Sequence, residues 1–266
     1  MTGERDRLRS TFDGAAPLYD EVRPGYPEAL FDDVASLSGI PSRGRILEIG
    51  CGTGQATVPL ARRGYGVLCV ELGETLAVVA RRNLAGYPGV EVRVGAFEAY
   101  PVAEEAFDLA VSATAFHWLD PAVALPKVAR SLKPGGAIAL FWNEHVRSER
   151  NEGFFEAAQR IYAREAPEIF DDNYGGPPRP DEVPDRAEEI EDSDLFGPTI
   201  RRRYGWDQAY DAAEYVRVLD TYSGHRNLDD ERRGRLFRGI GRLIDEKFGG
   251  RVVKGYQTSL YVARKR

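Results

Sequence analysis

Between Arg45 and Trp142, short apolar runs rich in β-branched residues alternate with helix-length segments, a pattern that parallel βαβ units satisfy and few other folds do. Arg45–Ile49 ends at a glycine cluster. Val67–Glu71 is a near-continuous apolar run closing on an acid, as expected of a strand covered on both faces. Val90, Val92 and Val94 alternate, and Phe107–Ser112 and Ala137–Trp142 follow, the last launched by Lys133-Pro-Gly-Gly136, read as a turn that stops the preceding helix. Helices are expected at Gln55–Arg63, Glu74–Leu84 and Pro121–Leu132, with an earlier one over Pro27–Leu37. Pro121 suits a first helical position, where its missing N–H would have had no partner anyway.

After Trp142 the character changes. Glu152–Arg164 reads as a helix, but Pro167–Pro198 collects prolines and an acidic stretch, Asp181–Asp194, in which eight of fourteen residues are Asp or Glu. Such a segment is a poor core former and is expected to be a surface loop or mobile lid. Asp211–Leu219 and Asp229–Phe248 are helical, the second with Leu236, Ile240, Leu243 and Ile244 on one face, and Thr258–Ala263 reads as a final strand.

Composition narrows the function classes. With 266 residues, 42% of them hydrophobic, the chain can bury a substantial core as one enlarged domain or two small ones. Cys51 and Cys69 are too few for a disulfide framework, which points to reduced thiols and a cytoplasmic setting. No apolar run approaches the roughly 18 residues that span a bilayer, so no membrane partner is expected. A net charge of −6 and a pI near 5.3 argue against a nucleic-acid partner. Arg201–Arg203 and the cluster Arg232, Arg233 and Arg235 read as solvated faces.

The chemistry concentrates at Glu48-Ile-Gly50-Cys-Gly52-Thr-Gly54, between the first strand and its helix. Glycines there let the backbone turn sharply and bring a ligand against the main chain, while the helix beyond offers unpaired N–H groups. Alone, the turn would equally serve a nicotinamide dinucleotide. Glu71 stands 17 residues after Gly54, at the tip of the second strand, where a carboxylate can accept hydrogen bonds from both hydroxyls of a ribose, or else cap the next helix. A dinucleotide-binding oxidoreductase predicts Gly or Ala at position 55, where this chain has Gln55. Cys51 reads as filler. Tyr19 and Tyr26 are either core anchors or site residues, and Phe154, Phe155, Tyr162 and Trp206 either pack the extra region or line a pocket.

At these residues the chain resembles the class I S-adenosylmethionine-dependent methyltransferases, and within them the small-molecule group called methyltransferase type 11 or UbiE-like. The run Phe107-Asp-Leu-Ala-Val-Ser-Ala-Thr-Ala-Phe-His-Trp118, then Leu-Asp-Pro121, is its most distinctive match, and the resemblance spans Arg45 to Trp142. It implies a Rossmann-like α/β fold: a seven-stranded, mostly parallel sheet with an antiparallel last strand, helices on both faces and a helical insertion. The implied division is an arm over the cofactor at 1–40, a core at 41–145, an acceptor-pocket insertion at 146–256 and a last strand at 257–266.

The implied cofactor is S-adenosyl-L-methionine, leaving as S-adenosyl-L-homocysteine. The resemblance places Glu48, Gly50, Cys51, Gly52, Gly54 and Gln55 under its methionine part, Glu71 and Leu72 at the ribose, and Ala96 and Phe97 at the adenine, with Ala113 and Phe116 after the fourth strand. Gly95 stands where many members carry Asp, which leaves the adenine amino group to main chain or Glu98. Ala15–Asp20 and Arg23–Pro27 resemble the arm. There Arg23 is expected to pair with the methionine carboxylate, and Tyr19, with Phe116 or Trp118, to offer ring faces to the sulfonium.

Methyl transfer needs positioning and desolvation more than a base. Of His117, His145 and His225, the first is the candidate proton acceptor, placed at the ligand-facing sheet edge. The expected partner is a small-molecule acceptor, with no metal, in a monomer or homodimer. The acidic stretch hints at a neutral or cationic acceptor. A nicotinamide oxidoreductase and a non-catalytic S-adenosylmethionine-binding module are the competing readings.

Overall fold

The computed structural model describes residues 16–151, 153–170 and 176–266. Residues 1–15 of the expected arm, Glu152 at the expected helix start and 171–175 of the proline-rich segment lie outside these. In chain order the helices are α1 (Ala16–Val22), α2 (Glu28–Ser38), α3 (Thr57–Arg62), α4 (Glu74–Asn83), α5 (Pro121–Ser131), α6 (Phe154–Glu165), α7 (Glu188–Glu191), α8 (Ala212–Leu219), α9 (Ser223–Arg226) and α10 (Asp230–Lys247). The strands are β1 (Arg45–Ile49), β2 (Gly66–Glu71), β3 (Val90–Val94), β4 (Phe107–Ala113), β5 (Leu132–Val146), β6 (Ile200–Asp211) and β7 (Arg251–Arg264).

They form one sheet in the order β3-β2-β1-β4-β5-β7-β6, with β1 to β5 parallel and β7 antiparallel to both of its neighbours. The apolar runs are strands because both faces of the sheet are covered. One face buries Ile46, Val67, Leu109, Ala139 and Leu260 under Phe31, Val34 and Leu60. The other buries Leu47, Ala110, Ile138, Leu140 and Tyr261 against Leu125 and Val128 of α5. A third cluster, of Phe154, Tyr215, Leu236, Ile240, Ile244 and Tyr256, joins α6, α8 and α10 to the far half of β7.

Four elements depart from the sequence reading. Lys133–Gly136 does not break the chain but lies within β5, where the ladder shifts register and Gly135 adopts φ 77°. β7 begins at Arg251 rather than Thr258, because pairing with β6 extends it beyond the end of β5. Arg201–Arg203 belong to β6, an edge strand whose arginines face solvent, a composition that discourages edge-to-edge pairing. The acidic stretch is no mobile lid: Ala187, Ile190 and Phe196 are fully buried beside Trp142 and Tyr261. Its carboxylates serve that anchorage, Asp185 and Glu191 pairing with Arg201.

Candidate functional site

Strand order reverses between β1 and β4, so the connections after them diverge and leave a crevice at their carboxyl ends. The turn after β1 forms one wall. Gly50 (φ 69°) and Gly52 (φ 59°) are left-handed, and a Cβ on Gly50 would lie 2.6 Å from the Ala115 Cβ, so the backbone can run here only without a side chain. Glu71 forms the next wall. The Gly52 N–H donates to its Oε2 at 2.8 Å and the Gly73 N–H to its Oε1 at 2.9 Å. These two bonds fix the orientation of the carboxylate at the cavity wall. Between the walls lies a cavity of about 280 Å3, lined by Tyr19, Arg23, Gly50, Cys51, Gly52, Gln55, Glu71, Leu72, Phe97, Ala113, His117 and Trp118 among others.

Four of the expected residues lie off this cavity. Glu48 is fully buried and does not line it. Burial, reinforced by the charge of Glu71 and only partly offset by a hydrogen bond from Thr57, pushes its carboxyl up to about 7. Gly54 borders a separate shallow cleft. Ala96 gives way to Gly95 and Phe97, and Glu98 does not line the cavity either. Phe116 is a correction: the 3-10 turn Phe116–Trp118 sends its ring into the core beside Leu119 and Trp142, and leaves His117 and Trp118 at the cavity.

Residues 47–140 match the family model of a methyltransferase domain. An uncharacterized methyltransferase of Geobacillus kaustophilus is 31% identical over 170 residues, covering 60% of this chain and 77% of the relative. The chain belongs to the class I methyltransferase family. An uncharacterized methyltransferase of Mycobacterium tuberculosis is 35% identical over 150 residues, 56% of this chain, and the match spans 58% of that relative's length. Among solved structures, phosphoethanolamine N-methyltransferase 2 of Haemonchus contortus, in complex with phosphomonomethylethanolamine and S-adenosylhomocysteine, superposes with a TM-score of 0.53 at 16% identity, over 95% of this chain and 57% of that one.

A second cavity, of about 540 Å3, adjoins the first, sharing Tyr19, Arg23, Tyr26, Gln55 and Thr114 with it. α6, α8, α9 and the far half of β7 supply its other walls, through Phe155, Tyr162, Tyr215, Tyr222, His225, Lys254 and Tyr256. Tyr26 spans the junction: its hydroxyl lies 2.8 Å from Thr114 Oγ1 and its ring stands edge-on to Phe141. Burial holds its phenol well above the ordinary range. α1 closes the same side, tied to α4 by Asp20 with Arg82 and Asn83, and to α8 by Glu21 with Arg217.

Among the described residues Arg23 has no carboxylate partner. Its Nε donates to Thr221 Oγ1 at 2.8 Å, and its guanidinium lies over the rings of Tyr19 and Tyr222. Trp142 Nε1 donates to His117 Nδ1 at 3.0 Å; indole is a donor only, so the neutral ring carries its proton on Nε2. With Nδ1 taken by the Trp142 indole, that nitrogen is not open to a ligand's proton, and the expected proton-acceptor role does not fit this bond. Burial, aided by the charge of Lys254, pulls His145 down to about 2 and His225 to about 4, so both are neutral acceptors of hydrogen bonds. Cys51 is no nucleophile: its hydrogen bond with Cys69 and its burial push the thiol well above the ordinary range.

Lys254, Tyr222 and Tyr256 escaped the sequence reading. Their only signal was a lysine inside an otherwise apolar strand, and that strand was read as starting at Thr258.

Proposed function

We propose that this protein transfers a methyl group from S-adenosylmethionine to a small-molecule acceptor. The observation that carries the reading is the shared wall: a glycine-turn cavity with a fixed ribose-type carboxylate opens beside a larger aromatic chamber through Tyr19, Tyr26 and Thr114. When bound, S-adenosylmethionine supplies a methyl group already activated on a sulfonium. Glu71, its carboxylate oriented by the Gly52 and Gly73 N–H groups, would take the ribose hydroxyls. Leu72, whose apolar side chain is partly exposed beside it, and Phe97 would cover the base. Gly50 and Gly52 would bring main chain against the amino acid part, with Arg23 near its carboxylate, and Tyr19 would present a ring to the sulfonium.

The protein's own work is then placement. The chamber excludes water from an acceptor and holds it across the Tyr26–Thr114 boundary, which lowers the barrier through orientation. Neither His145 nor His117 is set up to store a proton, so an acceptor must arrive with its lone pair available.

Titration calorimetry with S-adenosylhomocysteine tests the reading. Binding is expected for the parent protein and none for NAD, and Glu71→Ala should weaken it by about 3 kcal/mol, over a hundredfold. No heat with either adenosyl compound, on folded protein, overturns the proposal.

A further inference from the structure

Lys254 is 3% exposed, yet among the described residues it has no carboxylate partner. Its Nζ donates to the Tyr222 hydroxyl at 2.6 Å and lies 5.0 and 5.4 Å from the ring centres of Tyr222 and Tyr256. Arg23 stands over the same Tyr222 ring, 4.4 Å from its centre, and it too lacks an acid among the described residues. No Asp or Glu is among the described residues that line this chamber. Two cations share one enclosed, aromatic-walled space, and burying charge without a counter-ion is costly unless a ligand supplies it.

Tyr222 does not settle the balance. Burial raises its phenol, but the charges of Lys254 and Arg23 outweigh that and hold it below the ordinary range. Its hydroxyl accepts from Lys254 but, while it keeps its proton, supplies no counter-ion. His145 adds an Nε2 with no hydrogen-bond partner, next to Phe155 and Tyr256 in the same wall. The acidic stretch, which in the sequence hinted at a neutral or cationic acceptor, is spent on Arg201 outside this chamber, so that hint is withdrawn.

We propose that the acceptor is a small organic carboxylate with an aromatic or similarly apolar body, its anionic group docked on Lys254 and its body lying along Phe155, Tyr162 and Tyr256. The inference rests on the methyl-transfer reading, which makes the chamber the acceptor site. It suits the missing base as well, since a carboxylate carries its lone pairs at neutral pH. An amine acceptor would meet Lys254 and, among the described lining residues, no acid.

The test uses full-length protein saturated with S-adenosylhomocysteine, titrated with benzoate, salicylate and naphthoate, with their carboxamides, and with benzylamine. At least one carboxylate should bind tenfold or more tightly than its amide, about 1.4 kcal/mol, and the amine should not compete. Lys254→Met should abolish that preference while leaving S-adenosylhomocysteine affinity unchanged, which also reports that the variant folds, and Lys254→Arg should keep it. Equal binding of acid and amide, an unaltered preference in Lys254→Met, or no carboxylate binding at millimolar concentration overturns the proposal. Failure of S-adenosylhomocysteine itself to bind would sink the methyl-transfer reading instead.

Discussion

The two cavities of this molecule are built in opposite ways. The smaller one is centred on a backbone turn and one fixed acid, the turn at 50–52 and Glu71 at the end of the adjacent strand, with side chains of α1 and of the turn after β4 completing its walls. The larger one is made of side chains, drawn from α1, the end of β5, α6, α8, α9 and β7. A reagent that never changes can be gripped by main chain, whose geometry tolerates almost any neighbouring side chain. An acceptor that differs from one family member to the next calls for exchangeable side chains. The contrast teaches where each half is vulnerable.

The largest expected effect separates the halves by stability. Phe154 is fully buried and stands edge-on to Phe155, Tyr215 and Phe248 at the centre of the chamber's cover. Phe154→Ala should cost about 3–5 kcal/mol in chemical denaturation. S-adenosylhomocysteine affinity should meanwhile stay within roughly threefold, as for sites that share no partner. A parallel collapse of cofactor affinity would break the comparison.

The next effect asks which half feels pH. Glu48, beneath the glycine turn, keeps its proton in the folded protein up to about 7, whereas the unfolded chain releases it near 4.5. Its contribution to stability is therefore complete below pH 4.5 and is lost as pH rises through 7. Glu48→Gln, which cannot ionise, should flatten that decline, gaining about 2–3 kcal/mol on the parent protein above neutrality. Denaturation midpoints measured across this range for both proteins would show it, and parallel curves would remove Glu48 as the cause.

The smallest effect sharpens the claim that the first cavity is a backbone device. Gly50→Ala adds one methyl, but at φ 69° and against Ala115. We expect a loss of about 1–2 kcal/mol in cofactor affinity by calorimetry. Unchanged binding would mean that the turn does not carry the ligand.

The same division governs what could be read from the sequence. Glu48–Gly54 and Glu71 are legible because a strand, a glycine turn and an acid are local events; β1, β2 and β4 are recognisable from apolar runs, and β3 from its alternation. β6 was not, because three consecutive arginines hide the alternation of an edge strand whose outer side is wet. Phe116 and Trp118 were offered as equals; only the 3-10 turn decides which ring meets the core. The partner of His117 is Trp142, on a different strand, so no spacing rule could reveal that its Nδ1 was taken. Lys254 and Arg23 meet over Tyr222 only after the chain has closed on itself.

One continuous strand serves both cavities' neighbourhoods. On β7, Leu260 and Val262 belong to the core packed under α2, while Tyr256 and Val252, an even number of residues before them on the same strand, belong to the chamber side. Because strand side chains alternate, adding or deleting a single residue between Tyr256 and Leu260 would rotate one set against the other. Substitutions at Lys254 and Tyr256 can therefore reshape the chamber wall without disturbing the core half of the strand, whereas a change in length cannot.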